Sequence, residues 1–123
     1  MSKTKTLRKL AFDQLQTVPG GTYHKTAPKD APYPYKVFTL TSASFMDARD
    51  DIALDVDIWD RSIDPKAAED IADDVETLFR ESNIPAPPLF PTIFRDGRYT
   101  LDDPDKNLQH IQLRFIVQLY EED

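Results

Sequence analysis

The chain has 123 residues, 40 % of them hydrophobic and 30 % charged, with no cysteine and a formal net charge of −7. One domain of this length buries roughly two-thirds of the surface its unfolded form exposes and needs no disulfide or metal to hold its core. The lack of cysteine removes thiolate metal sites and cysteine nucleophiles altogether. No apolar run approaches the roughly 20 residues that cross a bilayer, and residues 1–9 lack the apolar centre of a secretory signal, so the expectation is an intracellular protein with no membrane partner.

From the N-terminus, Leu7, Leu10, Ala11, Gln14, Leu15 and Val18 recur at helical spacing opposite Lys3, Lys5, Arg8, Lys9 and Asp13, which predicts an amphipathic helix over residues 4–17. Pro19-Gly20-Gly21 stops it, and a short extended piece is expected at residues 22–26. Pro28, Pro32 and Pro34 then enforce an irregular connection, because each lacks an N–H donor and biases its predecessor away from helix. Residues 35–41, rich in β-branched and aromatic side chains, read as a strand. A second strand follows at residues 51–58, where Ile52, Leu54, Val56 and Ile58 alternate with Asp51, Ala53, Asp55 and Asp57 and imply one buried and one wet face. The stretch between them, residues 42–50, is too long for a tight turn and is expected to be a mobile interaction loop presenting Phe45, Met46, Asp47 and Arg49.

Asp64-Pro65 has the form of an N-cap followed by proline in the first helical turn. Ala68, Ile71, Ala72, Val75, Leu78 and Phe79 then line one face of a helix to about residue 82, with Asp70, Asp73, Asp74 and Glu76 on the other. After a proline-rich stretch at residues 84–88, two short strands at residues 92–94 and 99–101 are expected to be turned by Asp96-Gly97. Ile111, Leu113, Phe115, Val117 and Leu119 alternate with Gln112, Arg114 and Gln118, Ile116 being the one exception, in the strongest strand pattern of the chain. The fold class this gives is α+β, a mostly antiparallel sheet of four or five strands packed against two amphipathic helices, in a single domain over residues 1–123.

Chemistry finds little to stand on. Asp55, Asp57 and Asp60, near Asp50 and Asp51, suggest an acidic metal cluster, but a strand with a solvated face explains the same spacing and no His or Glu completes a cage. Residues 103–107 imitate the opening of a calcium loop, yet Leu108 stands where the loop needs glycine and Arg114 where it needs glutamate. A turn in which Asp102, Asp103 and Asp105 bond backbone donors is simpler. His24 and His110 have no nucleophile elbow beside them in sequence, and three glycines form no phosphate loop. Trp59 fits a core or sheet-edge position better than a ligand platform. These residues point to no enzyme, no metal and no cofactor.

Charge is divided along the chain. Residues 1–36 carry seven Lys and Arg against two Asp, whereas residues 37–123 carry eight against twenty acidic residues. An acidic body repels a phosphate backbone and the basic residues lack interleaved aromatics, so direct nucleic-acid recognition is not expected. Opposite ends can instead meet between copies, with Lys3, Lys5, Arg8 and Lys9 as candidate ring-interface charges.

The order of features also resembles a known family. An N-terminal helix precedes Ala31-Pro32-Tyr33-Pro34-Tyr35-Lys36-Val37-Phe38, then a strand closing in Val56-Asp57-Ile58-Trp59-Asp60-Arg61-Ser62, a helix, a hairpin and the run from Asp105 through His110 to Phe115. Together they resemble the tail terminator or tail completion (tail-to-head joining) proteins of siphophages. The resemblance implies a structural virion protein, assembled in the bacterial host cytoplasm. Its partners would be copies of itself in a ring, usually hexameric, together with the tail tube protein and the head connector. It brings no catalytic residues. Two other readings fit the residues: another neck component, such as a head completion or connector protein, and a small divalent-metal-dependent hydrolase using Asp55 and Asp57.

Overall fold

The computed structural model describes residues 3–45, 49–80 and 91–120. Along them run α1 (Lys3–Leu15), β1 (Gly21–His24), β2 (Tyr35–Phe45), β3 (Arg49–Arg61), α2 (Lys66–Arg80), β4 (Thr92–Leu101) and β5 (Leu108–Tyr120), an α+β arrangement. The five strands form one sheet in the order β1-β2-β3-β5-β4.

Leu7, Ala11 and Leu15 recur every four residues along α1 and are buried, because that spacing keeps them on one face. The helix ends tightly: the Thr17 and Val18 amides bond carbonyls only three residues back, Pro19 has no N–H, and Gly20 takes a left-handed φ of 93°. A Cβ at Gly20 would also stand 3.0 Å from the Pro34 carbonyl oxygen, so glycine is required there twice over. Lys36, on β2, completes this corner. Its ammonium donates to the carbonyls of Val18, Pro19 and Gly20 at 3.0, 2.9 and 2.7 Å.

β1 pairs with β2 in parallel, while the other three pairings are antiparallel, so the sheet is mixed and not the mostly antiparallel one expected. The reason lies in residues 25–34. Their three prolines carry the chain back to the end where β1 began, setting Gly21 opposite Tyr35, where a hairpin would have reversed it.

β2 and β3 reach further than their sequence patterns, to Phe45 and from Arg49, with Phe45 opposite Asp50. The long loop expected over residues 42–50 is therefore largely strand, and of its four candidate residues Met46 and Asp47 lie outside the described residues. Pairing overrides local polarity here: one extra residue, Thr41, is accommodated where the register shifts between Leu40 and Ser42. A second correction concerns Asp96-Gly97, which turns no hairpin. β4 runs unbroken through it, and the register slips by one residue between Arg95 and Gly97 opposite β5. The actual hairpin turn joins β4 to β5, held by the Asp105 amide on Asp103 Oδ1 at 2.9 Å and the Asn107 amide on Asp105 Oδ1 at 3.0 Å.

Asp64 caps α2 by accepting a 2.9 Å bond from the Lys66 amide, with Pro65 next in line. Asp64→Ala should lower stability by about 1 kcal/mol, a drop of roughly 3–5 °C in a thermal melt. Ala68, Ile71, Ala72, Val75 and Phe79 of α2 are buried against Ile52, Leu54, Val56 and Ile58 of β3 and Leu113, Phe115 and Val117 of β5, and α1 adds Leu7, Ala11 and Leu15 to the same core. Both helices thus lie on one side of the sheet. Glu76, expected on the outer face of α2, is 9 % exposed instead. Neighbouring β4 turns Arg95 and Arg98 toward it, at 3.3 and 3.6 Å, so the carboxylate is drawn inward by charge.

Candidate functional site

The side of the sheet opposite the helices carries every second residue of β3: Asp51, Ala53, Asp55, Asp57, Trp59 and Arg61. Register places Tyr35, Val37 and Thr39 beside them from β2, and His110, Gln112 and Arg114 from β5. The expectation of a simple wet face fails in the middle, where Ala53 and Asp55 are buried. β3 is the central strand, and its neighbours close over it. The Arg114 guanidinium straddles Asp55 with bonds of 2.7 and 3.1 Å, which holds its own pKa above the usual value, through hydrogen bonding to Asp55 first.

One step along the strand, His110 Nε2 lies 2.6 Å from Asp57 Oδ1, and Gln112 Nε2 donates to the same oxygen at 3.2 Å. The His110 ring also stacks on Trp59, with centroids 3.7 Å apart and planes 16° off parallel. Asp57, Trp59 and His110 were each visible in the sequence, but nothing there brought them together. Their contact depends on register, Trp59 opposite His110 and Asp57 opposite Gln112, and register is a tertiary fact. Beyond them Tyr35 contacts both Tyr33 and Tyr23, and the Arg61 guanidinium lies 5.4 Å over the Tyr33 ring.

This arrangement holds a surface together. Asp55 is engaged by Arg114, and Asp57 by His110 and Gln112. Asp60 lies on the helix side of β3, away from both. Among the described residues no group of three or more His, Asp or Glu is placed to hold a metal ion. Among the described residues, hollows flank the sheet on both sides. One of about 380 Å³ between α2 and β4 is lined by Glu76, Phe79, Ile93, Arg95 and Phe115, among others. One of about 370 Å³ on the open face is lined by Lys25, Tyr35, Val37, Asp57 and Trp59, among others. Among the described residues, neither lining includes a serine or histidine. His24, at the end of β1, packs on Phe38 at 5.0 Å on the other side of the sheet, and burial pushes its pKa down, helped by Arg8 and Lys25.

The other residues expected to matter are spread apart. Phe45 ends β2 and Arg49 begins β3, at one end of that strand pair. Lys3 opens α1, whose Lys5, Arg8 and Lys9 are exposed, with Lys9 bonded to Asp13 at 2.9 Å.

Comparison with known proteins gives these surfaces a context. The family model described as tail completion protein gp17 matches residues 8–120, nearly the whole chain. The chain belongs to this family. It is therefore a structural component of the phage tail and of the virion, and the family is not an enzyme class. Among solved structures, a chain of the virion of the native gene transfer agent (GTA) particle superposes with a TM-score of 0.66 at 10 % identity, over 95 % of this chain and 90 % of that one. At that identity the likeness is one of fold. No curated protein sequence matches the chain.

Proposed function

We propose that the chain is the tail terminator of a long-tailed phage: copies close into a ring, usually of six in such proteins, that caps the tail tube, stops its polymerisation and offers a surface to the head connector. The observation that carries this reading is the family match over residues 8–120. A sheet whose β1 and β4 edges pair with no further described strand, exposed aromatic side chains, and Asp55 and Asp57 engaged within the sheet suit a protein whose work is contact with other polypeptides. The connection between β2 and β3, framed by Phe45 and Arg49 and including Met46 and Asp47, is the segment we assign to the tube or the connector. Assembly takes place in the bacterial host cytoplasm.

A phage lacking the protein tests this directly. Electron microscopy of the lysate is expected to show tails of uncontrolled length and heads without tails. Normal-length tails joined to heads would sink the proposal.

A further inference from the structure

Glu76 carries an acceptor that nothing serves. Arg95 and Arg98 draw its carboxylate inward, yet the Arg95 bond to Oε2 is 3.3 Å, long for a charge-assisted contact, and Arg98 stands at 3.6 Å. Arg95 also keeps 61 % of its side chain in water. The other oxygen, Oε1, is shut away from solvent and takes no hydrogen bond among the described residues. A buried carboxylate oxygen in that condition costs free energy until a donor reaches it. The arginines thus account for the inward turn of the side chain but leave its second oxygen unsatisfied.

The same residue lines the hollow of about 380 Å³ between α2 and β4, a size at the small end of ligand pockets. Phe79, Ile93 and Phe115 supply its apolar walls, with the two phenylalanine rings set edge to face at 5.1 Å. Arg80 and Arg95 stand exposed at its border. These walls restrict what fits. Apolar sides call for an apolar body, and the unserved oxygen calls for an N–H or O–H. The arginines repel an ammonium or guanidinium and bring donors that want an acceptor of their own. A phenol meets all three conditions, because its ring is apolar and its hydroxyl both donates and accepts. The last bond of a glutamate side chain is soft and two-fold, so either oxygen can turn to take the donor.

We infer that the cleft between α2 and β4 receives a tyrosine side chain from a partner polypeptide, its ring packed on Phe79, Ile93 and Phe115 and its hydroxyl donating to the Glu76 carboxylate. Tyrosines of the same chain do not fill this role among the described residues. Tyr23, Tyr33 and Tyr35 make their own cluster beside β1 and β2, and Tyr99, opposite Gln112, lies on the sheet face away from α2. The inference stands apart from the ring reading and holds whether or not copies close on one another.

N-acetyl-L-tyrosinamide, which carries the side chain on an uncharged backbone, tests this on the wild-type protein. Its titration, followed by backbone amide NMR, is expected to give saturable shifts in the millimolar range, centred on Phe79, Ile93, Arg95 and Phe115. N-acetyl-L-phenylalaninamide, identical except for the hydroxyl, should bind about tenfold more weakly, since it leaves the carboxylate oxygen unserved. Glu76→Met, which keeps much of the bulk and removes the acceptor, should erase that preference. Equal binding of the two amides by the wild type would reduce the cleft to an apolar hollow and overturn the inference. So would shifts mapping to the Trp59 and His110 face, or none up to the solubility limit. A preference that survives in Glu76→Met would remove Glu76 from the site.

Discussion

Lys36→Ala is expected to destabilise the protein by about 3 kcal/mol, read as a lowered urea midpoint with an unchanged slope. Lys36 lies on the helix side of β2 with no exposed surface, and the bonds to Val18, Pro19 and Gly20 are what its ammonium meets there. Truncation strips the donor from three carbonyls at the corner where α1 ends, and the Val18 bond is the one fully shut away from water. It also leaves a void, because the side chain has no exposed surface. Lys36→Met refills the void without the donor, so the difference between the two variants separates packing from hydrogen bonding.

The same lysine sets a pH dependence. Burial pushes its pKa from 10.5 down to about 8, while the three carbonyls favour the charged form at neutral pH. Between those two values the unfolded chain binds the proton and the folded chain has released it, so stability rises with pH across this window. Below about pH 8 both states are protonated, and the folded protein carries the full penalty, roughly 3 kcal/mol. Subtracting the profile of Lys36→Met removes the other titrating groups. The difference should be flat near pH 7 and climb in favour of the wild type above pH 8; a flat difference to pH 10.5 would show that the folded lysine keeps its ordinary pKa.

What was legible in the sequence was whatever local chemistry settles. α2 followed from its cap and its apolar row, and β5 from an alternation broken only at Ile116, because both patterns express a single buried face. The direction of β1 was not legible, since two strands joined by ten irregular residues pair either way and only the path of those residues decides. Asp96-Gly97 misled for a related reason. The dipeptide suits a tight turn and an irregularity within a strand equally well, and the turn at Asp103 and Asp105, with its own side-chain bonds, left Asp96 inside the strand. Glu76 sits at a position whose helical phase says solvent, and the arginines that draw it inward arrive from β4, 19 residues later in the chain for Arg95. Of the surfaces, the basic face of α1 was visible from its sequence, whereas the Trp59 and His110 stack came from strands some fifty residues apart.

Phe115→Ala should cost more still, about 3–5 kcal/mol, because it leaves a cavity where two layers meet. Phe115 is 2 % exposed in β5, and its ring stands edge-on to Phe79 of α2 with centroids 5.1 Å apart. Val75 and Phe79 are the last buried turn of that helix, so removing their counterpart loosens α2 over β5 and β4 and leaves the α1 corner, packed on Phe38, largely intact. Amide exchange should therefore quicken in α2 and β4 well before it does in α1, β1 and β2. Phe115→Leu, keeping most of the volume, should lose only about 1–2 kcal/mol.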